Sequence, residues 1–350
     1  MFDRRALAIG VLAFLVAMNH VLWAQGQGTG AAQGPAAGAP QDQGAGGRGA
    51  GGAQGRAGGG GQGRGGGGGF GRGPAFTPEA GAKDLKSVLY NWTWHMGMLR
   101  SGAESELIKT LDYHADGGTI QMNGQACVVT KVRIQANYQI PGYRTQIECT
   151  LPNKQTYKNV ETMSGDFAWD EDIPGAELVP GKGKATPKPA ALEERRIRLW
   201  ASPQGAPKAA IAGAAGMPTT ESFGKNPATL LDAQTAAGVK GTTTLTWQGD
   251  KAIVTYPIPG VPGAVATATL NNFLPERIVV KSGTSTTEFV YSNFQDFNNP
   301  LFKIEALMPA TMVERRNGTV VRELKSKVTE IGQIYVIVPV PDSVRKAAGK

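Results

Sequence analysis

Chemistry-bearing side chains are scarce in this chain of 350 residues, which has three histidines and two cysteines. His20 lies in an apolar leader, which leaves His95 and His114. His114 stands between Asp112 and Asp116, and an imidazole beside a carboxylate makes a workable acid–base pair near neutral pH. No Gly-x-Ser-x-Gly elbow or comparable nucleophile accompanies it, so both histidines read as surface or packing residues. Asp166, Asp170, Glu171 and Asp172 cluster around Trp169. Such a density of carboxylates suits a hard cation like calcium. EF-hand spacing and its glycine are missing, and a solvated strand end is the simpler account. No residue is therefore assigned as catalytic or as a metal ligand, and no cofactor is expected.

Cys127 and Cys149 fall on successive expected strands. Their spacing excludes a redox Cys-x-x-Cys motif. Two alternatives stay open, a disulfide and a pair of buried reduced thiols that pack as small hydrophobes. A hairpin joining them would have its midpoint at residue 138, just before the Pro141-Gly142 turn, so the bridge would need a bulge or a long loop. The aromatic and sulfur residues offer another candidate site. Trp92, Met96, Trp169, Trp200 and Trp247 could line a groove for an acyl chain, with Trp94, Met98 and Met163 beside them. Ordinary core packing explains the same residues.

The elements that must position these residues begin after a long preamble. Asp3, Arg4 and Arg5 precede an apolar run over residues 6–18, and small Ala24 follows. This is the pattern of a secretory signal peptide cut between Ala24 and Gln25, and it sets the expected location as periplasmic or secreted. An uncleaved anchor over residues 6–24 is the alternative, disfavoured by Asn19 and His20. Residues 25–74 hold 24 of the 49 glycines, and such a tract cannot bury a core. Within it Arg48, Arg56, Arg64 and Arg72 recur every eight residues. That pattern fits either a polyanion-binding arm or, more simply, a disordered flexible spacer. The net charge of +8 leaves only +4 on residues 75–350, too weak a field for a nucleic-acid groove.

Residues 75–350 read as one mainly β (α+β) domain. Residues 84–100 carry an apolar stripe at helical spacing, and residues 103–110 could extend it as a second short helix. Strands are expected over residues 126–135, 143–151 and 156–162, followed by a polar loop over 174–189. Helices at 190–201 and 206–215 flank the breaker Pro203. A second strand series follows at 242–247, 252–256, 264–270, 277–281, 286–291, 306–314 and 319–331, with Asn317-Gly318 as a hairpin turn. Turn signals every 8–12 residues without a βαβ rhythm specify an antiparallel meander. The simplest architecture is a curved sheet or half-barrel with two or three helices packed on its concave side.

Several stretches carry a resemblance: Phe167-Ala168-Trp169, the run from Leu192 to Gly205, residues 270–278, residues 291–309, and Val328 to Ile331 with Val338 to Arg345. Together they resemble the β-rich leading domain of secreted metallo-hydrolase-like proteins of soil Acidobacteria, over residues 104–345. The C-terminal meander is also similar to the LolA-like half-barrel. The chain departs from the first family in lacking any His-x-His, so no hydrolase chemistry carries over, and in placing Gln204 where that family's motif has histidine. The resemblance implies a stand-alone companion domain. The meander, the amphipathic helices and the aromatics, with no assembled catalytic set, point to an exported, non-enzymatic accessory domain, peripheral to a membrane at most. It would bind a lipid-like apolar molecule or an envelope protein partner, and no nucleic acid. Two alternatives are a cryptic hydrolase-associated protein and a surface or matrix protein that associates through its glycine arm.

Overall fold

The structure is a computed structural model, and it describes residues 78–98, 110–122, 124–214, 242–296, 307–326, 331–332 and 336–350. The expected signal peptide, the glycine tract and most of the short helix expected over 103–110 lie outside the described residues.

Helix α1 (Leu85–His95) starts where Asp84 accepts hydrogen bonds from Ser87 N (3.0 Å) and Ser87 Oγ (2.6 Å). These bonds satisfy an amide that the first turn would otherwise leave unpaired, and they hold the Asp84 carboxyl below its ordinary pKa. Asp84→Ala is expected to cost about 1 kcal/mol, read as a shift in the urea midpoint. Val88, Leu89 and Trp92 form the buried stripe.

The strands fall into two runs. The first comprises β1 (Thr110–Ala115), β2 (Gly117–Met122), β3 (Gln125–Asn137), β4 (Gly142–Thr150), β5 (Thr156–Ser164), β6 (Phe167–Glu171) and β7 (Ala185–Pro187). A 3₁₀ turn (Pro189–Ala191) leads into α2 (Leu192–Trp200) and α3 (Gly205–Gly213). The second run is β8 (Thr244–Gln248), β9 (Lys251–Pro257), β10 (Val265–Asn271), β11 (Leu274–Ser282), β12 (Ser285–Asp296), β13 (Leu307–Arg316), β14 (Thr319–Lys325) and β15 (Ile331–Gly332), followed by α4 (Asp342–Ala347). Every pairing is antiparallel, in the order β7-β6-β5-β4-β3-β2-β14-β13-β12-β11-β10-β9-β8, with β1 paired to β3 and to β15. Each run is thus a meander. The helices carry the chain from one edge of the sheet to the other, and the two runs meet at β2–β14 and at β1–β15.

That junction requires a glycine. A Cβ on Gly118, at φ +108°, would lie 2.0 Å from Glu323 O. The α2–α3 corner makes the same demand, because a Cβ on Gly205 would lie 2.1 Å from Leu199 O.

The register assigns the faces. Asp170, Glu161, Thr145, Ile134 and Tyr113 lie side by side across β6, β5, β4, β3 and β1. This is the helix face, since Arg195 and Arg198 of α2 bind Asp170 and Glu161. Strands β5 and β14 stand four strand steps apart, roughly 19 Å along a flat sheet. Arg322 of β14 nevertheless donates to Glu161 Oε2 at 3.1 Å, so the sheet curls toward the helices. The curved antiparallel sheet with a few packed helices is therefore the fold, and α2 packs on β4–β6 while α3 packs on β9 and on α1.

Three features differ from the sequence reading. Strands β1, β2 and β6 occupy residues where no strand is expected, and Thr110, the last residue of the short helix expected over 103–110, opens β1. Leu111, Tyr113 and Ala115 do alternate with polar Thr110, Asp112 and His114, a period-two signal present in the sequence. Residues 174–189 are not loop throughout: Ala185–Pro187 pairs with β6 as an edge strand, a position where proline is tolerated. Finally, α4 and Val336 and Val338 cover Trp169 on the outer face as a second, smaller core.

Candidate functional site

The curled sheet and the α2–α3 corner enclose a cavity that opens to solvent. It holds about 630 Å³ of non-atom space, mouth included, and water-sized molecules can centre in about 70 Å³ of it. It is therefore narrow. Leu111, Ile134 and Ala136 form one wall, from β1 and β3; Phe289, Met308, Met312 and Leu324 form the other, from β12, β13 and β14. Ser202, Pro203 and Gln204 close the helix side. The wall thus draws on both runs of the meander, which the β2–β14 and β1–β15 pairings bring together.

Four tyrosines line the space, Tyr113, Tyr138, Tyr143 and Tyr291. Tyr138 Oη lies 3.0 Å from Ser202 Oγ, Tyr291 donates to Ala201 O at 2.6 Å, and Tyr113 Oη bonds Ser326 Oγ. Burial pushes the Tyr113 phenol up to about 12 and raises those of Tyr138 and Tyr291 further. These phenols are neutral across the physiological range, and their rings present apolar faces.

One end of the cavity is charged but balanced. Arg198 binds Glu314 (2.9 and 3.2 Å), Glu161 (3.0 Å) and Glu194 (2.6 Å). Arg322 binds Glu161 (3.1 Å), and Arg316 binds Glu314 (3.0 Å) and Glu194. Three guanidinium groups thus face three carboxylates. Burial alone would raise the Glu161 and Glu314 carboxyls, but the charges of Arg198 and Arg322 outweigh it and hold both at about 2. Burial also opposes the charge on Arg198, and Glu314, Glu161 and Glu194 overcome it, raising its pKa well above the ordinary value.

The five expected ligand residues are placed elsewhere, and none lines this cavity. Trp92, Met96 and Trp200 are fully buried in the main core, where Trp92 meets Tyr256 edge-on and Trp200 meets Tyr138. Trp169 lies on the opposite face in the second core. Trp247 sits near the β8 edge, donating to Lys83 O (3.2 Å) beneath the Lys83 ammonium. Large rings fill space, so they mark the packed interior rather than the gap in it. The actual lining combines strand tyrosines, methionines and small residues. Tyrosine at several strand positions is the one signal that pointed to it.

The chemistry-bearing candidates are brought together only in part: His114 lies beside Asp112 and shares a groove with Asp172, while Asp166, Asp170 and Glu171 stand apart from it. His114 Nε2 is 3.4 Å from Asp112 Oδ1, which Arg133 also holds. His114 faces away from α2, beside a polar groove with Arg133, Lys158 and Asp172. Asp170 is four strand steps away on the other face. His95 bonds Asn91 O at 2.8 Å. Each acidic-cluster member is engaged separately: Asp166 by Arg196 (2.7 Å), Asp170 by Arg195, Glu171 by Arg144 (3.1 Å) and Trp169 Nε1 (2.9 Å), and Asp172 by Lys184 N (2.7 Å). Among the described residues no group of three or more His, Cys, Asp or Glu could hold a metal ion.

Cys127 and Cys149 form a disulfide, with Cα atoms 5.5 Å apart and both residues fully buried. The hairpin turns after Asn137, whose Oδ1 accepts from Gln139 N and Ile140 N (both 2.9 Å). A register shift between Val129 and Lys131 brings Cys149 opposite Val129, so the bridge runs diagonally across β3 and β4.

No family model matches the chain and no curated protein does, so the likeness to acidobacterial hydrolase leaders gains no support. Among solved structures, the chain is similar to a LolA superfamily protein from Nitrosomonas europaea, at 10% identity and a TM-score of 0.34, over 75% of this chain and 97% of that one.

Proposed function

We propose that this chain is an exported, non-catalytic binding domain whose cavity takes up a slim apolar molecule. The observation that carries this reading is the cavity wall, aliphatic and aromatic on two sides with its one charged end neutralised pairwise. Such a wall has little to offer an ionic substrate and suits a hydrocarbon chain. One further feature supports part of the reading: a paired Cys127 and Cys149 fits an oxidising compartment.

The test is displacement of an environment-sensitive dye by medium-chain amphiphiles, combined with mass spectrometry of organic extracts from protein purified out of its native envelope. Met312 is only partly buried at the wall, so Met312→Trp should fill the space without disturbing the core. The expected result is binding weakened at least about tenfold with the unfolding midpoint unchanged. An empty extract, together with amphiphiles that compete equally with parent and variant, would sink the reading.

A further inference from the structure

The connection from β6 to β7 carries an exposed apolar patch. Ile173, Leu178 and Val179 are 47%, 47% and 50% exposed. They are three of the nine large hydrophobic residues exposed among the described ones, and such clustering departs from the single scatter normal on a surface. The loop that presents them is pinned from within. Glu177 N donates to Lys182 O (2.7 Å) and Lys182 N to Val179 O (3.0 Å). Glu171 Oε2 accepts from Gly175 N (2.6 Å), and Glu177 Oε1 accepts from Ala185 N (2.9 Å). Beneath it Ala176 packs into the second core with Trp169 and with Val344 of α4. The acids are thus spent on the loop's own amides while the aliphatic side chains meet solvent. A loop already ordered in this way loses little entropy when it docks.

The surroundings of the patch are basic, which narrows the choice of partner. Residues 172–188 and 336–350 hold three of the four net positive charges of residues 75–350. Lys182, Lys184, Arg345 and Lys346 are exposed and form no ion pair among the described residues. A second copy of the chain would bring the same charge and be repelled. A protein partner also fits poorly, because interface centres favour aromatic rings and disfavour lysine, and residues 172–184 contain no ring. Aliphatic side chains flanked by lysines suit the boundary of an anionic bilayer. There the apolar groups enter the acyl region and the ammonium groups meet phosphate.

We infer that residues 172–184, with α4 beside them, dock the protein on an anionic phospholipid surface, Leu178 and Val179 inserting and Lys182 and Lys184 binding phosphate. This surface shares no residue with the cavity wall, so it stands or falls apart from the cavity's ligand. The test is co-sedimentation of the chain from Gln25 onward with mixed phosphatidylglycerol–phosphatidylcholine vesicles and with phosphatidylcholine vesicles alone. The parent should bind the mixed vesicles about tenfold tighter than the neutral ones, and high salt should narrow that gap. Leu178→Ser with Val179→Ser should weaken binding to the mixed vesicles about tenfold, and Lys182→Gln with Lys184→Gln should do the same. The arginines of the glycine tract are common to all three chains and cancel in the comparison. All four side chains are exposed, so the unfolding midpoints should match, and the lysine pair removes no packing should the other variant prove unstable. A parent that binds no vesicle, or binds neutral and mixed vesicles equally, overturns the inference. Parent-like binding by a folded double variant overturns it too, and moves the attachment to the glycine tract or another face.

Discussion

Arg198→Met is expected to destabilise the chain by about 3–5 kcal/mol, because it strands Glu314 and Glu161 beside the cavity without their main counter-charge. Arg198 joins α2 to β5 and to β13, strands from the two separate runs of the meander, so its loss also loosens the contact that holds the sheet curled. The measurement is urea unfolding followed by tryptophan fluorescence. Glu314→Met in the same background should recover a large part of the loss, since removing both partners leaves fewer uncompensated charges. A cost below about 1 kcal/mol would mean that water reaches these groups as readily as it reaches a surface pair.

The same network sets an acid limit. Glu161 and Glu314 are held at about 2, below their ordinary value of 4.5. As pH falls below that ordinary value the unfolded chain takes up protons that the folded chain refuses until about 2. Folding therefore loses stability across this window, and above it the contribution is complete. Unfolding midpoints measured from pH 6 down to pH 2 should decline through that interval. In Arg198→Met the decline should be shallower, because both carboxyls return toward their ordinary range.

Replacing both Cys127 and Cys149 by alanine is the second large effect, about 3 kcal/mol for a closed loop of 22 residues. The bridge ties β3 to β4, and β3 pairs with β1, β2 and β4, so the unfolded chain regains freedom at the centre of the sheet. Calorimetry of the parent with and without reductant should reproduce the difference. A reductant shift well below that of the alanine variant would show that the thiols contribute mainly by packing.

Much of the local structure was legible in the residues. The stripe through Val88, Leu89 and Trp92 marked α1, and Asn317-Gly318 marked a hairpin whose two residues do take positive φ, 46° and 85°. Strands β3 to β5 and β8 to β14 followed from β-forming residues and turn chemistry. β1 was legible as well, since Leu111, Tyr113 and Ala115 alternate with polar Thr110, Asp112 and His114, although the run is only six residues long and Asp112 is buried with its apolar neighbours. Residues 185–187 escaped because three residues around a proline resemble a loop until an edge is there to receive them.

The sequence by itself determined the antiparallel meander, the helical crossover and the scarcity of reactive groups, because these depend on periodicity, breakers and counting, which are properties of neighbouring residues. The tertiary structure alone decided the site. Arg198 and Glu314 are 116 positions apart, and Glu161 and Arg322 are 161 apart. Such partners meet only after β2 has paired with β14 and the sheet has curled. The same closure decided that tryptophans would fill the interior and that Gln204, with tyrosines and methionines, would border the space left over. Where a sheet fails to fill its own curve depends on how its distant edges come together, and no local pattern encodes that.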